Sequence, residues 1–182
     1  MKSRFLTLAI TLAAGAAIGI AVPPDPTASA EAQRGRGASR MSMTYVAKAA
    51  ASDMYEIRSS ELAMERARRP ELREFARMLV ADHRRTSELV MAAARADGLP
   101  PPPAMLEPAQ RTMIRQLERA RGGMAFDRAY ANQQVIAHQQ ALALHRNYAR
   151  RGDGPELRRV AASAVPIIEG HLMQARRLAR GR

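Results

Sequence analysis

From Pro70 to Val90 the chain reads PELREFARMLVADHRRTSELV, with apolar residues at Leu72, Phe75/Ala76, Leu79 and Val90. A return every three or four positions gives a helix one buried stripe, and it excludes a strand, whose faces alternate every second residue. His83 stands on that stripe, one turn after Leu79, with Asp82 beside it. A polar ring on a face that must be buried needs a partner. Such a partner has to come from other segments.

Three more long helices follow from the same reasoning. Helix A is expected from about Ser42 to Arg69, with its stripe at Val46, Ala49/Ala50, Asp53, Glu56/Ile57, Ser60, Ala63/Met64 and Ala67. Pro70 ends it and suits the first turn of helix B, which stops before Gly98. The four prolines within Leu99–Glu107 hold that stretch extended. A short helix over Pro108–Arg121 follows, broken by Gly122 and Gly123. Helix C then runs from about Met124 to Arg151, and helix D opens at Pro155 and is expected to kink at Pro166.

Four helices of about 27 residues are each roughly 40 Å long. The tight A–B and C–D joints require antiparallel hairpins. The B–C connection is long enough to travel the whole bundle, so B and C can run parallel. The expected fold is an all-α four-helix bundle of the one-crossover, ferritin-like kind, with a short extra helix in the B–C crossover. An aromatic content of only 4% within a hydrophobic content of 47% suits close-packed helices.

All four histidines fall on apolar stripes. His138 and His145 share one on helix C with Val135, Leu142 and Ala149, and His171 lies on helix D with Leu157, Ile168, Ala175 and Leu178. Glu56, His83, His138 and His171 lie about 13, 12, 14 and 16 residues into their helices, or ~20 Å along each rod. Mid-rod residues share one layer whichever way neighbours run. One carboxylate and three imidazoles therefore converge, as ligands for a single Zn, Fe, Mn or Cu ion. Asp53, Asp82, Gln134 and Glu169 are close enough to support them. The competing reading is a metal-free Glu–His network that sets helix register. His145, two turns beyond His138, is expected to stand apart.

Other chemistries find less support. There is no Cys, which removes thiolate ligands and disulfides. Ser59, Ser60, Ser87 and Ser163 lack a nucleophile-elbow or triad context, and no phosphate loop occurs. The 11 methionines are spaced as core filler.

The N-terminus reads as an export signal over residues 1–30. Lys2 and Arg4 precede the apolar run Phe5–Val22, prolines follow, and Ala28-Ser29-Ala30 offers a cleavage site. Residues 31–41 form a polar lead-in expected to be flexible, and 42–182 the bundle. The expected address is periplasmic or secreted, with no membrane span in the mature chain. The net charge of +12 is mainly Arg and reads first as a solvated surface. Export and the scarcity of stacking residues exclude nucleic acid as a partner and leave anionic envelope polymers or lipids.

The segments AKAAASDMYEIRSSELAMERARRPELREFARMLVADH, FDRAYANQQVIAHQQALALH and AVPIIEGHL resemble the bacterial family catalogued as domain of unknown function 4142. The resemblance covers about Thr44 to Leu178. Its marks are Glu56, Asp82-His83, Phe126-Asp127 with Tyr130, His138, and Pro166 with His171. It implies a ferritin-like, exported protein with no settled activity. Di-iron bundles carry Glu three residues before His, whereas Val80, Val135 and Ile168 hold those positions here. A mononuclear, His-rich site fits the pattern better. The functional reading is thus an exported bundle binding one metal ion, in envelope stress or metal handling. The alternative is a structural or interaction module with a polar core and a basic surface.

Overall fold

The computed structural model describes residues 26–103 and 105–181, with side chains from residue 40 onward. The expected signal segment, apart from its last residues, lies outside the described residues. Five helices follow in order: α1 Pro26–Arg66, α2 Pro70–Ala96, α3 Pro108–Arg119, α4 Gly123–Arg151 and α5 Pro155–Arg180. Among the described residues there is no strand, and no helix is long and apolar enough to cross a membrane. Helix A thus begins upstream of Ser42: the lead-in is helical backbone continuous with α1. Its Gly35 and Gly37 lower helix propensity, but neither residue forbids the conformation.

Side-chain contacts fix the topology. On α1 and α4, Tyr45 stacks on Tyr148 at 3.9 Å while Ser60 meets the Tyr130 hydroxyl at 2.9 Å. Numbers rise on one helix as they fall on the other, so the two are antiparallel. The tight joint at Ala67–Arg69 makes α1 and α2 antiparallel as well. Hence α2 and α4 run parallel, and the α3 crossover carries the chain from one end of the bundle to the other. Helix α5 is antiparallel to α2: Arg69 at the start of α2 donates to the Leu178 carbonyl, and Asp97 after its end reaches the start of α5.

Two carboxylates seal the ends. Asp127 accepts from the backbone N–H groups of Arg68 and Arg69, at 2.9 and 3.1 Å, where α1 turns into α2. Asp97 accepts from those of Glu156 and Leu157, at 3.2 and 2.9 Å, in the first turn of α5. These donors have no partner within their own helices. At the end of α2, Gly98 adopts φ 75°, the left-handed geometry of a helix stop.

Helix α5 passes through Pro166 as one continuous helix. Pro166 and Ala162, whose carbonyl loses its N–H partner, both lie on the exposed face. Water can take up that carbonyl, so no side chain is needed for it.

The two largest apolar clusters of the core lie at its ends, with a polar layer between. Leu72, Phe75, Leu79, Leu117, Phe126, Tyr130 and Leu178 fill one end. Tyr45, Val46, Val90, Leu99, Tyr148 and Leu157 fill the other. Asp53, Glu56, Ser59, His83, Gln134, His138 and His171 are buried at mid-height.

Candidate metal centre

The polar layer exists because each helix carries its polar residue on a stripe that is otherwise apolar. Burying the stripe buries the residue. His83 comes from α2, His138 from α4 and His171 from α5. Their ring centroids form a nearly equilateral triangle, with sides of 5.8, 5.7 and 5.4 Å. One ring nitrogen of each lies within 4.8 Å of those of the other two.

The hydrogen bonds decide which nitrogens face inward. His83 Nδ1 lies 2.8 Å from Asp53 Oδ1, His138 Nδ1 lies 2.8 Å from the Gln134 carbonyl, and His171 Nε2 lies 3.0 Å from Asp82 Oδ2. Ionised carboxylates and carbonyls can only accept, so each of these nitrogens carries the proton. The opposite nitrogens, His83 Nε2, His138 Nε2 and His171 Nδ1, are buried and have no hydrogen-bond partner. When the three rings are neutral, three lone pairs therefore converge with no donor among them. Ser87 adds a layer of support, donating its hydroxyl to Asp53 Oδ2 at 2.9 Å.

Electrostatics point the same way. Burial opposes charge on His83, yet its hydrogen bond to Asp53 and the nearby Glu56 and Asp82 carboxylates outweigh that, and its pKa is raised. Burial, aided by His83 and His171, drives His138 down to about 3. Burial and His83 also lower His171. His138 and His171 are thus kept neutral, while the carboxylates around His83 favour positive charge beside them, as a metal ion would supply. Trigonal or tetrahedral coordination at about 2.0–2.1 Å requires N···N separations of about 3.5 Å. Modest ring rotations would close the triangle to that size.

Three of the four expected ligands meet, and Glu56 stands outside them. It is 1% exposed and at the right depth, but its Oε1 lies 3.6 Å from His138 Nδ1, the protonated edge facing away from the trio. Its oxygens have no hydrogen-bond partner, and burial pushes its carboxyl up to about 7. The physical reason lies in the packing: α1 faces α2 and α4 and is diagonal to α5, so its carboxylates reach the backs of rings that meet nearer α5.

Asp53, Asp82 and Gln134 hold the backs of the three rings, Gln134 through its main-chain carbonyl. Glu169 does not take part. It is paired with Arg146 on the surface, with its side chain 44% exposed. Ser87, which stands one turn after His83 on the same helix face, supports Asp53 and serves no nucleophilic role. His145 is buried and stands outside the group of three, as expected. It is bonded through Nδ1 to the Tyr45 hydroxyl at 3.1 Å, and it lines a small cavity together with His83 and His171.

The model of a family described as "Domain of unknown function (DUF4142)" matches residues 26–178. The chain is a DUF4142 protein. No curated protein matches it at a significant level. Among solved structures this DUF4142 chain is similar to "CopM in the Cu(II)-bound form", with a TM-score of 0.65 at 20% identity over 76% of this chain and 95% of that one. The Cu(I)-bound form of CopM gives 0.61 at 18% identity, covering 75% and 93%. A DUF305 fragment from Deinococcus radiodurans gives 0.64 at 18% identity, covering 76% and 95%. At these identities the DUF4142 protein shares a helical-bundle fold with them.

Proposed function

We propose that this DUF4142 protein is an exported metal-binding bundle. It holds one transition-metal ion on His83 Nε2, His138 Nε2 and His171 Nδ1 and serves metal handling in the cell envelope. The observation that carries the reading is the convergence of three buried ring nitrogens without hydrogen-bond partners, each ring fixed by an acceptor on its opposite edge. A metal-free network would place a donor against an acceptor, whereas three neutral rings here bring only acceptors together. Fixing a ligand's far N–H on a carboxylate or carbonyl is the usual support for a metal-bound imidazole.

An all-imidazole set of three suits copper, zinc or nickel better than magnesium or calcium. Copper is the first candidate, because the similar folds include CopM crystallised with Cu(II) and Cu(I). Export is supported by the N-terminal pattern of charge, apolar run and small-residue cleavage site.

The test is elemental analysis of the untagged chain from Glu31 onward, with thermal melts in the presence of Cu(II), Zn(II), Mn(II) and Fe(II). Near-stoichiometric metal is expected, lost in His83→Ala, His138→Ala and His171→Ala variants shown by urea melts to be folded. At a free metal concentration of a hundred times Kd, linkage stabilises by about 2.7 kcal/mol. That corresponds to a rise in Tm of roughly 5–11 °C for a domain of this size. No bound metal and no ion-dependent shift would refute the reading and leave a polar core held by a proton.

A further inference from the structure

Beside the imidazole trio lies a small, partly open cavity with ≈ 10 Å³ of space for the centre of a water molecule. A cavity of about that size is what one water requires. All four long helices line it. Asp53 comes from α1, His83 from α2, Ala141 and His145 from α4, and Ala164 and His171 from α5. Two of the three inward-facing imidazoles therefore border the cavity, on the side of the layer nearer the Tyr45–Tyr148 end of the bundle. On other sides His138 has Phe75 packed at 6.3 Å and the Glu56 carboxyl against its Nδ1 edge.

From this placement we infer that a metal ion on the three imidazoles keeps a fourth, exchangeable coordination position that opens into this cavity and takes one water-sized ligand: water, hydroxide or fluoride. The inference rests on the metal reading above and deepens it. Three protein nitrogens leave one place open on a four-coordinate ion, which is the arrangement of sites that exchange ligands and not of closed structural sites. Among the described residues no carboxylate oxygen joins the group of three nitrogens to fill that place. The cavity is polar enough to hold a ligand there. His145 has its Nδ1 engaged by the Tyr45 hydroxyl at 3.1 Å, which leaves Nε2 for an occupant. That free edge can pair with a bound water, as acceptor or as donor according to the tautomer. The small side chains of Ala141 and Ala164 on facing helices keep the space open.

The experiment uses the Cu(II)-loaded protein and pulsed electron paramagnetic resonance in D2O. Nitrogen couplings count the imidazoles, and deuterium modulation reports an exchangeable water on the ion. The wild type is expected to show three imidazole couplings together with a bound exchangeable water, and added fluoride is expected to replace it with a fluorine coupling. Ala164→Val fills the cavity from α5 and should keep the copper stoichiometry and the nitrogen couplings while losing the deuterium and fluorine signals. Ala141→Val fills it from α4 and serves if the first variant does not fold. Copper bound without exchangeable water, or water retained unchanged in a folded, loaded valine variant, overturns the fourth position alone. A wild type that takes up no metal overturns the metal reading and this inference with it.

Discussion

Replacing Asp53 by Asn separates what the layer does for folding from what it does for an ion. Asp53 is 4% exposed and accepts two hydrogen bonds, from His83 Nδ1 at 2.8 Å and from the Ser87 hydroxyl at 2.9 Å. Asn fits the same space. Its carbonyl can keep the His83 proton, and its amide can donate to a Ser87 hydroxyl that rotates to accept. The geometry survives and the charge goes. Apo stability in urea should fall by no more than a charge-assisted hydrogen bond, about 1.5–3 kcal/mol. Metal affinity should fall about 10- to 100-fold, the usual effect of losing an outer-shell partner, or about 1.4–2.7 kcal/mol. A chelator-competition titration measures this directly. Asp82→Asn is the internal control. Its contact with His171 is similar at 3.0 Å, but its side chain is 42% exposed, so water already screens its charge and the affinity loss should be smaller. Equal affinity of Asp53→Asn and wild type, or a larger loss in Asp82→Asn, would refute the argument that buried acceptors tune these imidazoles.

Glu169→Gln should leave metal affinity within about twofold and stability within about 0.5 kcal/mol, since its partner is a surface arginine; the same competition titration and a melt check it. Asp97→Ala and Asp127→Ala each strand two backbone donors, so each should cost about 1–3 kcal/mol in chemical denaturation. Gly154→Ala should mimic the Asp97 loss, because an added Cβ would collide with the Asp97 carboxylate. His145 is pressed by burial down to about 4, and Asp53 and His83 are the charged groups acting on it. Its folded pKa thus lies below the ordinary value near 6.5, so the folded state binds fewer protons than the unfolded one. Stability from this group is complete above about pH 6.5 and is lost as pH falls towards 4, by at most about 3 kcal/mol. A His145→Gln variant, compared with wild type by urea melts from pH 7 to 4, should lose less stability over that window. Parallel loss in the two proteins would remove His145 as a source.

Depth along a helix is legible in a sequence because rise per residue is constant, and rotation about its axis is much less so. Counting residues was enough to place Glu56, His83, His138 and His171 in one layer, and the parallel α2–α4 arrangement followed from the length of the crossover. The roles of Asp53 and Glu56 were not so readable. They stand three residues apart on the same face of α1, and both are buried. A rotation of α1 by a fraction of a turn decides which one meets a ring and from which side. That rotation is set by the packing of residues such as Tyr45, Tyr55 and Val46, which local periodicity does not resolve. Glu169 and His171 are two residues apart, about 200° around a helix, so only one could face inward. The apolar neighbours Ile168, Leu172 and Ala175 on His171's side already favoured the histidine. Asp82 posed a different problem. It lies about 100° round α2 from His83, and whether that direction leads to solvent, α1 or α5 depends on how the four rods are arranged in space. Nothing within α2 carries that information. The three imidazoles could be found from one helix at a time, whereas the acceptors behind them come from neighbouring helices for His83 and His171, and that part of the site appears only when the bundle is assembled.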